Sequence, residues 1–241
     1  MAEKTGADAI VESLLINDID LVFGLPGGQL DHLFDAIYRA DGKLELLHTR
    51  HEQGAAYMAF GYAQTTGKPG VYTVVPGPGL LNTTAALCTA WACNSPVLAL
   101  IGQLNRDEIG SGYGHLHEIN DQLGLVRHLT KWAERIDDST NTPALMQRAF
   151  EELQSGRPRP VEIEMPQDVM GAPADIGPAL KASPPAPPAI DEDLVREAAR
   201  VLAKAKRPMI VVGSGALDAG PELLRVAQRL EAPVMSCLLY T

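Results

Sequence analysis

The chain has 241 residues, 46% hydrophobic and 21% charged, with 22 Gly and 18 Pro spread among apolar segments. This excludes disorder over most of its length and leaves room for one domain and part of another. Its 20 Lys and Arg against 30 Asp and Glu give a formal charge of −10, which argues against nucleic acid or an anionic membrane surface as a partner.

The N-terminal stretch lacks the basic region and unbroken apolar core of a signal peptide, and no segment approaches the roughly 18 to 20 apolar residues of a membrane span. A cytoplasmic protein is expected, in which Asn82-Thr83-Thr84 is a chance match to the glycosylation pattern. Thr5 and Asp8 form a capping-type start for a helix carrying Ile10, Val11, Leu14 and Leu15 at helical spacing. A short strand over 20–23 follows, ended by Gly24. Further strands are expected at 44–47, 71–74, 97–101 and 161–165, with helices over 29–39, 52–66, 80–93 and 143–153. Strands that alternate with helices and are apolar on both sides predict an α/β fold, a parallel sheet covered by helices on both faces, over 1–171.

Residues 172–190 contain six prolines, at 173, 178, 184, 185, 187 and 188, and predict an extended linker. Beyond it a helix over 191–203, a strand over 208–212, a turn at 213–215, a helix over 222–230 and a strand from 232 predict the start of a Rossmann-like second domain, 191–241. One βαβ unit cannot bury both faces of its sheet, so a longer polypeptide is expected. Cys88, Cys93 and Cys237 lack CxxC spacing and are expected to be buried free thiols.

In such folds ligands collect at the carboxyl ends of the strands, here the turns after Phe23, Leu47, Val74 and Ile101. Glu52 lies in the first turn of a helix, where a carboxylate complements the helix dipole. The small residues Gly54, Ala55, Ala56, Ala59 and Gly61 that follow would also let a flat ring approach a poorly hydrated carboxylate, a setting for acid–base relay. Gly24-Leu-Pro26-Gly27-Gly28 and Pro76-Gly77-Pro-Gly79 are turns that permit close backbone approach, with Asn82 just beyond the second. Together with Glu52 they suit one shared pocket. His115, His117 and Glu118 have no matched second cluster, so no metal site is expected there. Gly213-Ser-Gly215 is off register for a dinucleotide fingerprint, and GxSxG and HExxH are absent.

Phe23-Gly-Leu-Pro-Gly-Gly28, Arg50-His-Glu-Gln53, Gly61-Tyr-Ala63, Thr66-Gly-Lys68 with Gly70-Val71, Gly77-Pro-Gly79 with Asn82, Ser95-Pro96 and Ile101-Gly-Gln103 resemble, in order and spacing, the pyrimidine-binding domain of thiamine diphosphate enzymes. The likeness is greatest to the acetolactate synthase branch and spans roughly residues 5–168, and the part after the linker resembles the opening of that family's middle domain. The resemblance implies that Glu52 hydrogen-bonds the aminopyrimidine and favours the imino form whose 4′-nitrogen deprotonates the thiazolium carbon. The ylide then attacks a 2-keto acid, carbon dioxide leaves, and the enamine is protonated or added to a second carbonyl. It further implies that Pro26, Gly27 and Gly28 lie near the reacting centre, that Gly77, Gly79 and Asn82 lie beside the pyrimidine or brace Glu52, and that Gln103 faces the substrate.

In that family the diphosphate and Mg2+ are held by a third domain through a Gly-Asp-Gly motif, which does not occur here, and the site is completed across a homodimer, in some cases within a homotetramer. The resemblance therefore implies half of an active site, and leaves open a flavin, FAD, in the middle domain. Asn94 stands where the family often has Asp, Gly54 where Ala is usual, and His115-Leu-His117 where acetolactate synthases usually show Phe-Gln. Paired histidines in that region protonate the enamine in some keto-acid decarboxylases. The expected function is acetolactate synthase-like carboligation, with 2-keto acid decarboxylation, another carboligase activity or a non-catalytic module as alternatives.

Overall fold

Thr5 opens the first helix through a reciprocal capping box: its Oγ1 accepts the Asp8 N–H at 3.1 Å, and its own N–H donates to Asp8 Oδ2 at 2.9 Å. The structure is a computed structural model and describes residues 3–183, 185, 186 and 188–236. It divides into two units, Met1–Pro185 and Ala186–Thr241.

The first unit runs β1 (Lys4–Thr5), α1 (Gly6–Ile16), β2 (Leu21–Gly24), a 3-10 turn at Gly28–Leu30, α2 (Asp31–Arg39), β3 (Glu45–His48), α3 (Glu52–Thr66) and β4 (Gly70–Val74). It continues with α4 (Pro78–Ala92), β5 (Val97–Gln103), α5 (Gln122–Val126), β6 (Trp132–Arg135), α6 (Thr142–Gln154), β7 (Val161–Pro166), α7 (Gln167–Gly171) and β8 (Pro173–Ala174). Six strands form one parallel sheet in the order β3-β2-β4-β5-β7-β6, and β1 pairs with β8 antiparallel. This is the expected α/β fold. The strand β6 was not expected, because four residues at a sheet edge, two apolar followed by two charged, carry little apolar signal and no alternation.

Side chains alternate across the sheet. Val22, Val71, Leu98, Leu100, Val161 and Ile163 face the cluster built with α1, α2 and α6. Phe23, Tyr72, Val74, Ala99 and Ile101 face the cluster built with α3 and α4. Two strands depart from the expected apolar character. The edge strand β3 is largely exposed, and β7 turns Glu162 and Glu164, both fully buried, onto the second face.

Neither carboxyl oxygen of Glu162 has a hydrogen-bond partner among the described residues. Burial above all, and then neighbouring Glu164, pushes its pKa well above the ordinary 4.5. Below pH 4.5 the group is protonated in both folded and unfolded chains. Above it, the unfolded chain ionises first, so stability falls as pH rises until the raised folded pKa is reached. Glu162→Gln is therefore expected to stabilise the protein increasingly with pH, with a slope of up to about 1.4 kcal/mol per pH unit. Urea unfolding of parent and variant between pH 5 and 8 measures this, and a pH-independent difference would contradict it.

The segment after α7 is held along the first unit as far as Ser183. Ile176 is buried, Asn17 donates to Leu180 O at 3.2 Å and accepts the Ala182 N–H at 2.8 Å, and Gln147 donates to Lys181 O at 2.9 Å. The second unit has α8 (Glu192–Ala203), capped by Asp191, then β9 (Ile210–Val212), a 3-10 segment over Ser214–Ala219, α9 (Gly220–Leu230) and β10 (Val234–Ser236) parallel to β9. Among its described residues Ala227 is the one buried hydrophobic, and Leu194, Val201, Val211, Leu224 and Val234 are exposed. The free thiol Cys93 is buried, as expected, but Cys88 is exposed, because it lies on the outer face of α4; Cys237 lies outside the described residues. No described helix is long and apolar enough to cross a membrane.

Candidate active site

Glu52 is the first residue of α3. His51, extended at φ −155°, caps the helix by accepting the Gln53 N–H on Nδ1 at 3.2 Å, and Gly67 at φ +70° ends it. The Glu52 side chain is 15% exposed. Its Oε2 accepts a hydrogen bond from Asn82 Nδ2 at 2.9 Å, and its Oε1 accepts none among the described residues. The alanines that the sequence suggested would clear space for a ring do something else. Ala55, Ala56, Ala59 and Ala63 are buried against the sheet, and a Cβ on Gly70 would lie 2.0 Å from Ala59 O, so small residues here serve close packing of α3 on β4.

Asn82 rides on the first turn of α4, whose N-cap is Gly77 and whose first residue is Pro78. Gly77 has φ +58° and ψ −117°, and a Cβ there would lie 2.2 Å from His117 O, so only glycine fits. Gly27 and Gly79 pack on opposite methyls of Val75: a Cβ would meet Cγ1 at 2.4 Å from Gly27 and Cγ2 at 2.7 Å from Gly79. The two glycine turns are thereby brought together with Glu52 and Asn82 at the carboxyl edge. Pro26 and Gly28 are exposed on the turn after β2, and Gly28 O accepts from Gln167 Nε2 at 3.0 Å.

The loop between β5 and α5 closes over this edge. His117 Nδ1 lies 3.0 Å from Gln29 Oε1, and Gln29 Nε2 donates to Leu116 O at 3.4 Å. His115 lies 3.7 Å from Glu108. Glu118 accepts the backbone N–H groups of Gly112, Gly114 and His115 at 2.7, 2.7 and 3.0 Å, and these bonds, led by that from Gly112, hold its carboxyl below the usual range. Glu118 thus organises the loop. No three metal-ligating side chains converge among the described residues.

Gln103 departs from the expectation that it faces a substrate. It is 3% exposed, its Oε1 accepts the Leu104 N–H at 2.8 Å and its Nε2 lies 3.4 Å from Glu164, so it forms part of the floor below the edge. Gln122 and Glu164 went unnoticed in the sequence. Gln122 Oε1 accepts the Gly77 N–H at 2.8 Å and its Nε2 donates to Glu164 Oε2 at 2.7 Å, a partnership across 42 positions that no local pattern announces.

Residues 4–125 match the family described as thiamine pyrophosphate enzyme, N-terminal TPP binding domain, and residues 195–239 match the thiamine pyrophosphate enzyme central domain. The chain belongs to the thiamine pyrophosphate enzyme family. It is 38% identical over 233 residues to a probable 2-ketoarginine decarboxylase of Pseudomonas aeruginosa, covering 96% of this chain and 41% of that protein. It is 38% identical over 244 residues to a probable acetolactate synthase large subunit of Methanocaldococcus jannaschii, covering 97% and 40%. With the acetolactate synthase isozyme 2 large subunit of Escherichia coli the identity is 38% over 216 residues, covering 87% and 37%. The chain spans about two-fifths of the length of these curated relatives. The carboxyl edge of the sheet suits the family's cofactor, thiamine pyrophosphate (thiamine diphosphate): a shielded carboxylate with one oxygen fixed and the other free can accept a hydrogen bond from a flat heterocycle.

Proposed function

We propose that the full-length protein uses thiamine diphosphate to decarboxylate a 2-keto acid and transfer the remaining unit to a second carbonyl, as an acetolactate synthase-like carboligase. When bound, the cofactor supplies an acidic thiazolium carbon that adds to the keto group and takes up the electrons released with carbon dioxide. Glu52 holds a proton against the pyrimidine, Asn82 fixes its Oε2, and Gly27, Gly77 and Gly79 allow the close packing that sets the two turns. Pro26, Gly28 and His117 line the side nearer the substrate. The single observation that carries the reading is the Asn82–Glu52 hydrogen bond at the carboxyl edge of the sheet.

Mg2+ and the diphosphate belong to a further domain of the full-length protein, and a second copy completes the site in a homodimer or larger assembly. A cytoplasmic setting belongs to the same proposal and is supported by the free thiols Cys88 and Cys93. These 241 residues alone, given thiamine diphosphate and Mg2+, are expected to show no keto-acid decarboxylation. Turnover by the fragment would contradict the half-site reading.

A second reading, release of an aldehyde after protonation, is favoured by His117 beside the Gln29 turn and by the relative named as a decarboxylase. Product analysis from pyruvate with the full-length protein separates the two. Acetolactate is the expected product, and acetaldehyde alone would sink carboligation in favour of protonation.

A further inference from the structure

A chain of buried polar groups runs from the Gly77 turn to the edge of the sheet, and none of the roles proposed above uses it. Gln122 is 2% exposed and commits its whole amide: Oε1 to the Gly77 N–H at 2.8 Å, Nε2 to Glu164 Oε2 at 2.7 Å and to Gly102 O at 3.3 Å. Glu164, fully buried, receives Arg135 Nε on Oε1, and the Arg135 side chain is 19% exposed. Five elements, α4, α5, β5, β6 and β7, are thus tied to one amide and one carboxylate.

Stability is a poor explanation for such an arrangement. Buried ion pairs lose in desolvation much of what they gain in attraction, and apolar replacements of similar volume are often as stable. What the chain does provide is direction. Gly77 is a helix N-cap without a side chain to close its own turn, and it sits in a backbone conformation that L side chains rarely adopt. Its carbonyl accepts the Leu81 N–H at 2.9 Å, so fixing its N–H fixes the turn from which Asn82 reaches Glu52.

We infer that Gln122, anchored by the Glu164–Arg135 pair, is a positioning residue: it sets the Gly77 turn and, through Asn82, the direction of the Glu52 carboxylate toward the cofactor. The inference rests on the reading of Glu52 given above. A residue acting this way changes proton transfer without touching the cofactor, and its effect is not independent of that of Asn82.

The test uses the full-length protein loaded with thiamine diphosphate and Mg2+, reading hydrogen–deuterium exchange at the thiazolium carbon and amide exchange over 77–82. Gln122→Met, which keeps the side-chain length, is expected to slow thiazolium exchange by on the order of 10-fold or more and to speed amide exchange over 77–82. Combined with Asn82→Ala, it is expected to be no slower than the slower single variant. A parental rate in Gln122→Met, or a double variant slowed by the product of the two single effects, overturns the inference. If Gln122→Met does not fold, Glu164→Gln carries the test, because it keeps volume and an acceptor while losing the charge that pairs with Arg135. The same two changes, in smaller degree, support the inference, and parental rates overturn it. Glu52→Gln tells the two failures apart: if it leaves thiazolium exchange unchanged the cofactor reading falls, whereas slowing by Glu52→Gln but not by Gln122→Met removes only the role of Gln122.

Discussion

Glu52→Gln in the full-length protein is expected to slow deprotonation of bound thiamine diphosphate by a factor on the order of 10² or more, as for a positioned proton-transfer group. The substitution keeps the length and planarity of the side chain and keeps an oxygen for Asn82 to donate to, so the turn at Gly77 has no cause to move. What it removes is the ability to hold and release a proton. The result is measured as thiazolium hydrogen–deuterium exchange in the loaded protein, with unfolding followed in parallel. A variant that exchanges at the parental rate would show that the carboxylate is only the first-turn complement to the α3 dipole, a role that contributes about 0.3 to 2 kcal/mol.

The largest effect on stability is expected from Arg135→Met, which leaves the buried Glu164 carboxylate without its countercharge. Breaking a buried pair in this way costs about 3 to 5 kcal/mol, and the lower end applies because Arg135 keeps part of its side chain in water. Denaturant unfolding of parent and variant checks the size of the loss. The same loss in a background that already carries Glu164→Gln would assign the effect to lost packing of the arginine stem instead.

Much of the fold was legible because its central strands are short apolar runs and its helices carry caps. Thr5 with Asp8 marked the start of α1, and the glycine after Thr66 closed α3 where helical periodicity ended. The turn residues of the candidate site were legible for a related reason: a glycine at φ +58° or pressed onto Val75 leaves its mark in the sequence itself. The polar floor was not. Val161-Glu-Ile-Glu-Met165 alternates as a half-exposed strand would, which by pattern alone puts both glutamates in water, yet both are fully buried. The partners of Glu164 come from β6, 29 positions away through Arg135, and from α5, 42 positions away through Gln122. Separations of that size lie outside any helical or strand period. The small residues of α3 misled for a different reason, since an alanine that makes room for a ligand and one that makes room for a strand look the same in a sequence.

The decisive measurement is a crystal structure of the full-length assembly with thiamine diphosphate bound. A Glu52 carboxylate oxygen is expected within hydrogen-bond distance of a pyrimidine nitrogen, roughly 2.7 to 3.2 Å, with Asn82 still on the other oxygen. A Glu52 side chain facing solvent, with the vitamin seated elsewhere, would contradict it.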